Sequence, residues 1–161
     1  YVYVAGKFES TVDFDPGAGT ANLTSPTSTA SFIIKLTSSG NYDWGRMVGS
    51  NQGTQATALV VDAGGVVHLG GMYYGNVDLD PGPGTQTEIP IGQSDFYLME
   101  LDSAGIMQWA NPFGGSSLDY MESMAQDVNG DLYITGFFSV TADFDPGSGT
   151  TNLTGSGNDG A

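Results

Sequence analysis

Apolar residues in this chain come in short runs that alternate with polar ones, and Gly-rich turns separate the runs at even intervals. The runs "ATALVV" (56–61), "VVHLGGMY" (66–73), "FYLMEL" (96–101) and "MQWANPF" (107–113) are strand-sized, and none sustains a 3.6-residue period. The pattern predicts strands over Thr57–Val61, Val66–Tyr73, Phe96–Leu101 and Met107–Phe113. Between the first two, "DAGG" reads as a tight turn: an aspartate accepts backbone N–H bonds and a glycine supplies positive φ. "DSAG" does the same between the last two, so two antiparallel hairpins make one four-stranded unit.

The unit recurs. "VDFDPGAGT" begins at Val12, "VDLDPGPGT" at Val77 and "ADFDPGSGT" at Ala142, a spacing of 65 residues that needs no gap. "YVYVAGKF" (1–8) overlies "VVHLGGMY" (66–73) and "DLYITGFF" (131–138), while "FIIKLTSSGNYDW" (32–44) overlies "YLMELDSAGIMQW" (97–109), with Trp44 on Trp109. Asp62 falls on Asp127 and Gly65 on Gly130. Gly is abundant, at 25 residues, and helix formers are scarce, so the chain reads as all-β. Four strands per repeat is the blade of a β-propeller, in which each small sheet covers its apolar faces on its neighbours. The alternative is a β-solenoid, whose coils usually run to roughly 20–30 residues; tight Asp-to-Gly hairpins favour antiparallel blades.

In this phase, residues 1–48 are a partial blade (strands B-C-D), 49–113 a complete blade, and 114–161 a partial blade (strands A-B plus the Asp-rich insertion). That is nine strands, about two and a quarter blades, with Ala161 placed just before a third strand. Propellers close with roughly four to eight blades. The expectation is therefore a fragment of a longer chain, or a piece completed by assembly with copies of itself.

Residues 95–138 resemble the bacterial SBBP-type β-propeller repeat. The resemblance is carried by Asp95, Leu101, Asp102, Gly105, Trp109, Gly114, Gly115, Asp119, Asp127, Gly130, Thr135 and Gly136. The first repeat departs from that pattern at Ala30, Thr37 and Ser50. The Asp-rich insertion lies outside the pattern and is expected to lengthen each blade. The resemblance implies a secreted or cell-surface bacterial protein and says almost nothing about a reaction.

Charge changes the picture of partners. With 18 Asp and Glu against 3 Lys and Arg, the formal net charge is −15, which repels nucleic acid and anionic membrane surfaces. Cations, protein or glycan ligands, and other blades of the same protein are the expected partners. No apolar run reaches the roughly 18 residues of a spanning helix, so no membrane insertion is expected. The absence of cysteine removes disulfides, thiol catalysis and Cys-ligated zinc.

The insertion carries the candidate metal ligands Asp13, Asp15, Asp78, Asp80, Asp143 and Asp145. In an extended D-x-D segment both carboxylates share one face, while Phe14, Leu79 or Phe144 points to the other. Two nearby carboxylates repel unless a cation or hydrogen-bond donors intervene. Pro-Gly carbonyls and the hydroxyls of Thr20, Thr85 and Thr150 would add hard oxygens suited to Ca2+. The competing reading makes the aspartates turn caps that need no metal. The loop is not an EF-hand, having neither its ligand spacing nor its distal glutamate.

Nothing in the pattern assigns catalysis. The lone histidine, His68, exchanges with Tyr3 and Tyr133 at its repeat positions, as a partly buried strand site would. The carboxylate pair recurs in every repeat, whereas a catalytic pair for glycoside hydrolysis is needed once. Trp44 and Trp109 suit blade packing better than sugar stacking. The expected function is a non-enzymatic, extracellular binding or assembly surface with insertion loops that calcium could fix. The alternatives are a filament or ring subunit closed by strand complementation between chains, and part of a carbohydrate-active enzyme.

Overall fold

The computed structural model describes residues 1–155, and the position of Ala161 before a third strand lies outside the described residues. The first sheet contains β1 (Val2–Phe8), β4 (Ala30–Leu36) and β5 (Tyr42–Ser50), with the short hairpin β2 (Thr11–Asp13) and β3 (Asn22–Thr24) between β1 and β4. The second contains β6 (Gly53–Val61), β7 (Val67–Tyr74), β10 (Asp95–Leu101) and β11 (Met107–Gly115), interrupted by β8 (Val77–Asp78) and β9 (Thr87–Glu88). The third begins with β12 (Tyr120–Gln126) and β13 (Leu132–Phe137), followed by β14 (Thr141–Asp143) and β15 (Asn152–Thr154). All main pairings are antiparallel, and β6-β7-β10-β11 are neighbours in chain order, which is the blade expected from the sequence.

The turns form as their residues dictate. Asp62 Oδ1 accepts the Val66 N–H at 2.8 Å, and Gly65 takes φ +86°, a conformation that costs a residue with a Cβ. Asp102 repeats the device on the Ala104 and Ile106 N–H groups, each at 2.9 Å. In the first repeat Thr37 stands in for that aspartate and its hydroxyl accepts the Asn41 N–H at 3.1 Å. Register irregularities also repeat: β6 and β12 bulge between Ala56 and Ala58 and between Met121 and Ser123.

The blades pack face to face through two apolar layers. Alternation along β10 sends Tyr97, Met99 and Leu101, all fully buried, into a layer with Ile33, Trp44 and Val48 of the first blade. It sends Phe96 and Leu98 into a second layer with Met121 and Met124 of the third. Each buried side chain of this size contributes on the order of 1.5–3 kcal/mol against the entropy of ordering the chain.

The insertion corrects the sequence reading. It does not lengthen its own blade; it folds into a hairpin that adds to the outer strand of the preceding one. β8 pairs with β5 (Gly49 opposite Asp78, Ser50 opposite Val77), and β14 pairs with β11 (Gly114 opposite Asp143, Gly115 opposite Ala142). The residue that swings the chain across has positive φ in every repeat: Ser10 at 58°, Gly75 at 62° and Val140 at 61°. Among the described residues, β2 and β3 form a sheet of their own.

Candidate binding groove between the blades

The three Asp-rich loops share one internal geometry. Asp13 Oδ1 accepts the Asp15 and Ala21 N–H groups at 3.0 and 2.8 Å. Asp78 Oδ1 accepts those of Asp80 and Gln86 at 3.1 and 2.9 Å, and Asp143 Oδ1 those of Asp145 and Thr151 at 3.0 and 2.8 Å. The second aspartate of each pair caps the Pro-Gly turn: Asp15, Asp80 and Asp145 accept the N–H of Gly17, Gly82 and Gly147 at 2.7, 2.7 and 2.8 Å. The glycine two residues further on is required by space, because a Cβ at Gly19, Gly84 or Gly149 would overlap that carboxylate. The N–H bonds hold the Asp13 and Asp143 carboxyls below the usual carboxylate range, since they favour the charged form.

One oxygen of each carboxylate is committed to N–H donors, and no group of three or more His, Asp or Glu side chains converges among the described residues. The apolar residue between the aspartates does turn inward. Phe14 meets Phe32 at a ring-centroid distance of 4.6 Å and Phe8 at 5.3 Å, Leu79 is fully buried, and Phe144 packs on Phe96 and Phe138.

Because the loop leans on the preceding blade, it walls a groove that the sequence did not announce. The groove encloses about 720 Å³ between Arg46 and Met47 of β5, the 78–84 loop, and the 105–107 turn that leads into β11. Its apolar wall comes from Met47, Ile106, Pro81 and Pro83, with Ile106 58% exposed, and its acidic wall from Asp78 and Asp80. Arg46 is already engaged: Nε donates to the Gly105 carbonyl at 2.8 Å and Nη2 to that of Ala104 at 3.1 Å. The chain's repeat period is the signal that could have located it, had the loop been assigned to the neighbouring blade.

No family model matches the chain. It is 27% identical over 153 residues to the uncharacterized WD repeat-containing protein L264 of Acanthamoeba polyphaga mimivirus, a match covering 87% of this chain and 11% of that protein. The chain thus spans about a tenth of the length of that relative. The likeness agrees with the blades: the chain is a run of β-propeller-like repeats. It does not carry the finer SBBP resemblance or a bacterial source.

The remaining candidates sit in the packing. His68 is buried on β7, with Nε2 3.1 Å from Glu100 Oε2. Trp44 lies over the turn of the next blade and its Nε1 donates to the Ser103 carbonyl at 3.1 Å, as a packing residue does. Asp95 and Asp119, named above for the family resemblance, are both buried, which the repeat comparison alone does not show. Asp119 accepts the Gly115 and Ser139 N–H groups at 2.6 and 2.9 Å. Asp95, 2% exposed, accepts the Ile91 N–H at 3.0 Å and leaves Oδ1 without a partner. Burial, with the Asp119 charge adding to it, pushes the Asp95 carboxyl up to about 6, against the pull of its backbone N–H bonds.

Proposed function

We propose that this run of blades is part of a protein-interaction scaffold and that the groove between blades one and two takes a polypeptide segment carrying aliphatic and basic side chains. The observation that supports it is the groove's wall chemistry: Met47 and the exposed Ile106 face Asp78 and Asp80, on a chain of net charge −15. Aliphatic side chains gain by leaving water there, and Lys or Arg meets carboxylates rather than like charge. The 78–84 wall is held to the first blade by the pairing of β8 with β5, and its turn is capped by Asp78 and Asp80.

Panning a displayed random-peptide library against the chain tests this. Enriched sequences should pair Lys or Arg with Leu, Ile or Met, and Ile106→Asp, a change at an exposed position, should weaken them at least about tenfold. Enrichment that survives Ile106→Asp would place binding elsewhere. In this reading the six aspartates act as turn caps. Millimolar calcium should then leave the melting temperature unchanged; a rise that Asp13→Asn with Asp15→Asn removes would make them metal ligands instead.

A further inference from the structure

We propose that the outer edge of β2, with the face of β1 and β4 beside it, is a docking surface for the outer strand of a further blade of this same repeat. Three hairpins of one design are present, and two show what the edge is for. β8 lies on β5 and β14 on β11, while β2 has β3 as its only strand partner among the described residues. Its internal register matches the occupied copies: Thr11, Val12 and Asp13 face Thr24, Leu23 and Asn22, as Thr141, Ala142 and Asp143 face Thr154, Leu153 and Asn152. The threonine hydroxyl pairs at the open ends are 2.9 Å apart in both. The edge is therefore preformed, and exposed strand edges are templates for addition of another strand.

Exposure at equivalent positions extends the proposed docking surface beyond the edge. Val67 and Leu69 are 0% and 1% exposed under the first blade, whereas their counterparts Val2 and Val4 are 47% and 41% exposed. Leu79 is fully buried, while its counterpart Phe14 is only half-buried. The side of blade one facing away from blade two thus presents the apolar surface that in blade two is covered by a preceding blade.

The occupied copies also specify the occupant. In each, the residue opposite the first aspartate is glycine, Gly49 or Gly114, followed by Ser50 or Gly115. The expected partner is an extended antiparallel strand ending in Gly-Ser or Gly-Gly, its glycine opposite Asp13. A second copy of the described chain does not supply one, because β5 and β11 already carry β8 and β14 on that edge. This inference rests on how the blades pack and is independent of what the groove binds.

The test prepends a copy of residues 1–65 in frame to the 161-residue chain, which adds strands B, C and D of a blade and a strand A beside β1, joined as residue 65 joins residue 66. Amide exchange in the 11–13 segment of the original repeat is compared with that in the unextended chain. Slowing of at least about tenfold in a folded extended chain supports the proposal, because paired edge amides exchange only on opening. A folded extended chain whose 11–13 amides exchange as before overturns it. So does self-association of the unextended chain that protects the same amides, which would make the occupant a second copy. If the extended chain does not fold, the nonapeptide YDWGRMVGS at millimolar concentration decides: NMR shifts confined to β2 and the face of β1 support the proposal, and no shifts overturn it.

Discussion

The two interfaces between blades descend from the same repeat yet are held differently. Between blades one and two, cationic and N–H donors of the first blade clamp a turn of the second: Lys35 Nζ and Trp44 Nε1 both reach the Ser103 carbonyl, at 2.8 and 3.1 Å, and Arg46 reaches Gly105. Lys35 is buried and also pairs with Asp43 at 3.2 Å, so its charge is compensated. At the matching positions between blades two and three stand acids. Asp95 and Asp119, both buried, replace Ala30 and Thr54, and the part-exposed Glu100 replaces Lys35. Thr54 serves the first interface with a neutral bridge, accepting the Ser31 N–H at 2.7 Å and donating to the Val48 carbonyl at 2.6 Å. Asp119 instead accepts the Gly115 and Ser139 N–H groups with a charged carboxylate, which strengthens those bonds and makes burial costly if either is missing. The crossing residue differs too: Gly75 on one side, the β-branched Val140 at φ 61° on the other. One repeat can thus be tuned from a joint whose buried charge is compensated to one with an uncompensated buried carboxyl and a strained crossing residue.

The largest effect is expected at Trp44. Trp44→Ala removes a buried ring that lies against Gly105, where a Cβ would crowd it, and a hydrogen bond, and should cost roughly 3–5 kcal/mol in urea unfolding. Trp109→Ala, at the half-buried counterpart, should cost less than half of that, and equal losses would break the asymmetry. Next comes the polar bridge. Asp119→Ala leaves the Gly115 and Ser139 N–H groups buried without partners, a loss of roughly 2–4 kcal/mol, against about 1–2 kcal/mol for Thr54→Val.

The charge difference is sharpened by pH. Asp95 has its folded-state carboxyl raised above its ordinary value of 3.8 to about 6, so the folded chain binds the proton more tightly than the unfolded one. That contribution to stability is present below pH ~4 and is lost as pH rises through about 6. Asp95→Asn keeps an acceptor for the Ile91 N–H and should flatten this slope and raise the melting temperature at pH 7–8; an unchanged slope would assign the titration to another group. Ala30→Asp in the first blade should introduce a slope of the same sign. The smallest shift belongs to the crossing residue. Val140→Gly removes a positive-φ strain and should stabilise by about 1 kcal/mol, while Gly75→Ala, at φ 62° and against Asn51, should destabilise.

Blade strands, their turns and their alternation were legible in the sequence because each depends on residues close together. Asp62 with Gly65 closes a hairpin wherever it occurs, and the Tyr97-Leu98-Met99 alternation assigns two faces before any neighbour is known. The inward turn of Phe14, Leu79 and Phe144 followed from the same period of two. The destination of the Asp-rich hairpin did not follow. Its strands are three residues or fewer, too short to declare a partner, and nothing local distinguishes its own blade from the preceding one. That choice is made by Gly49 and Gly114 at the ends of β5 and β11, where backbone can approach backbone, and by the positive φ at Ser10, Gly75 and Val140. The groove and the buried acid pair arise the same way, from side chains many residues apart in sequence that meet only when one blade settles on the next. Periodicity determined the blade; packing between blades decided what its insertions do.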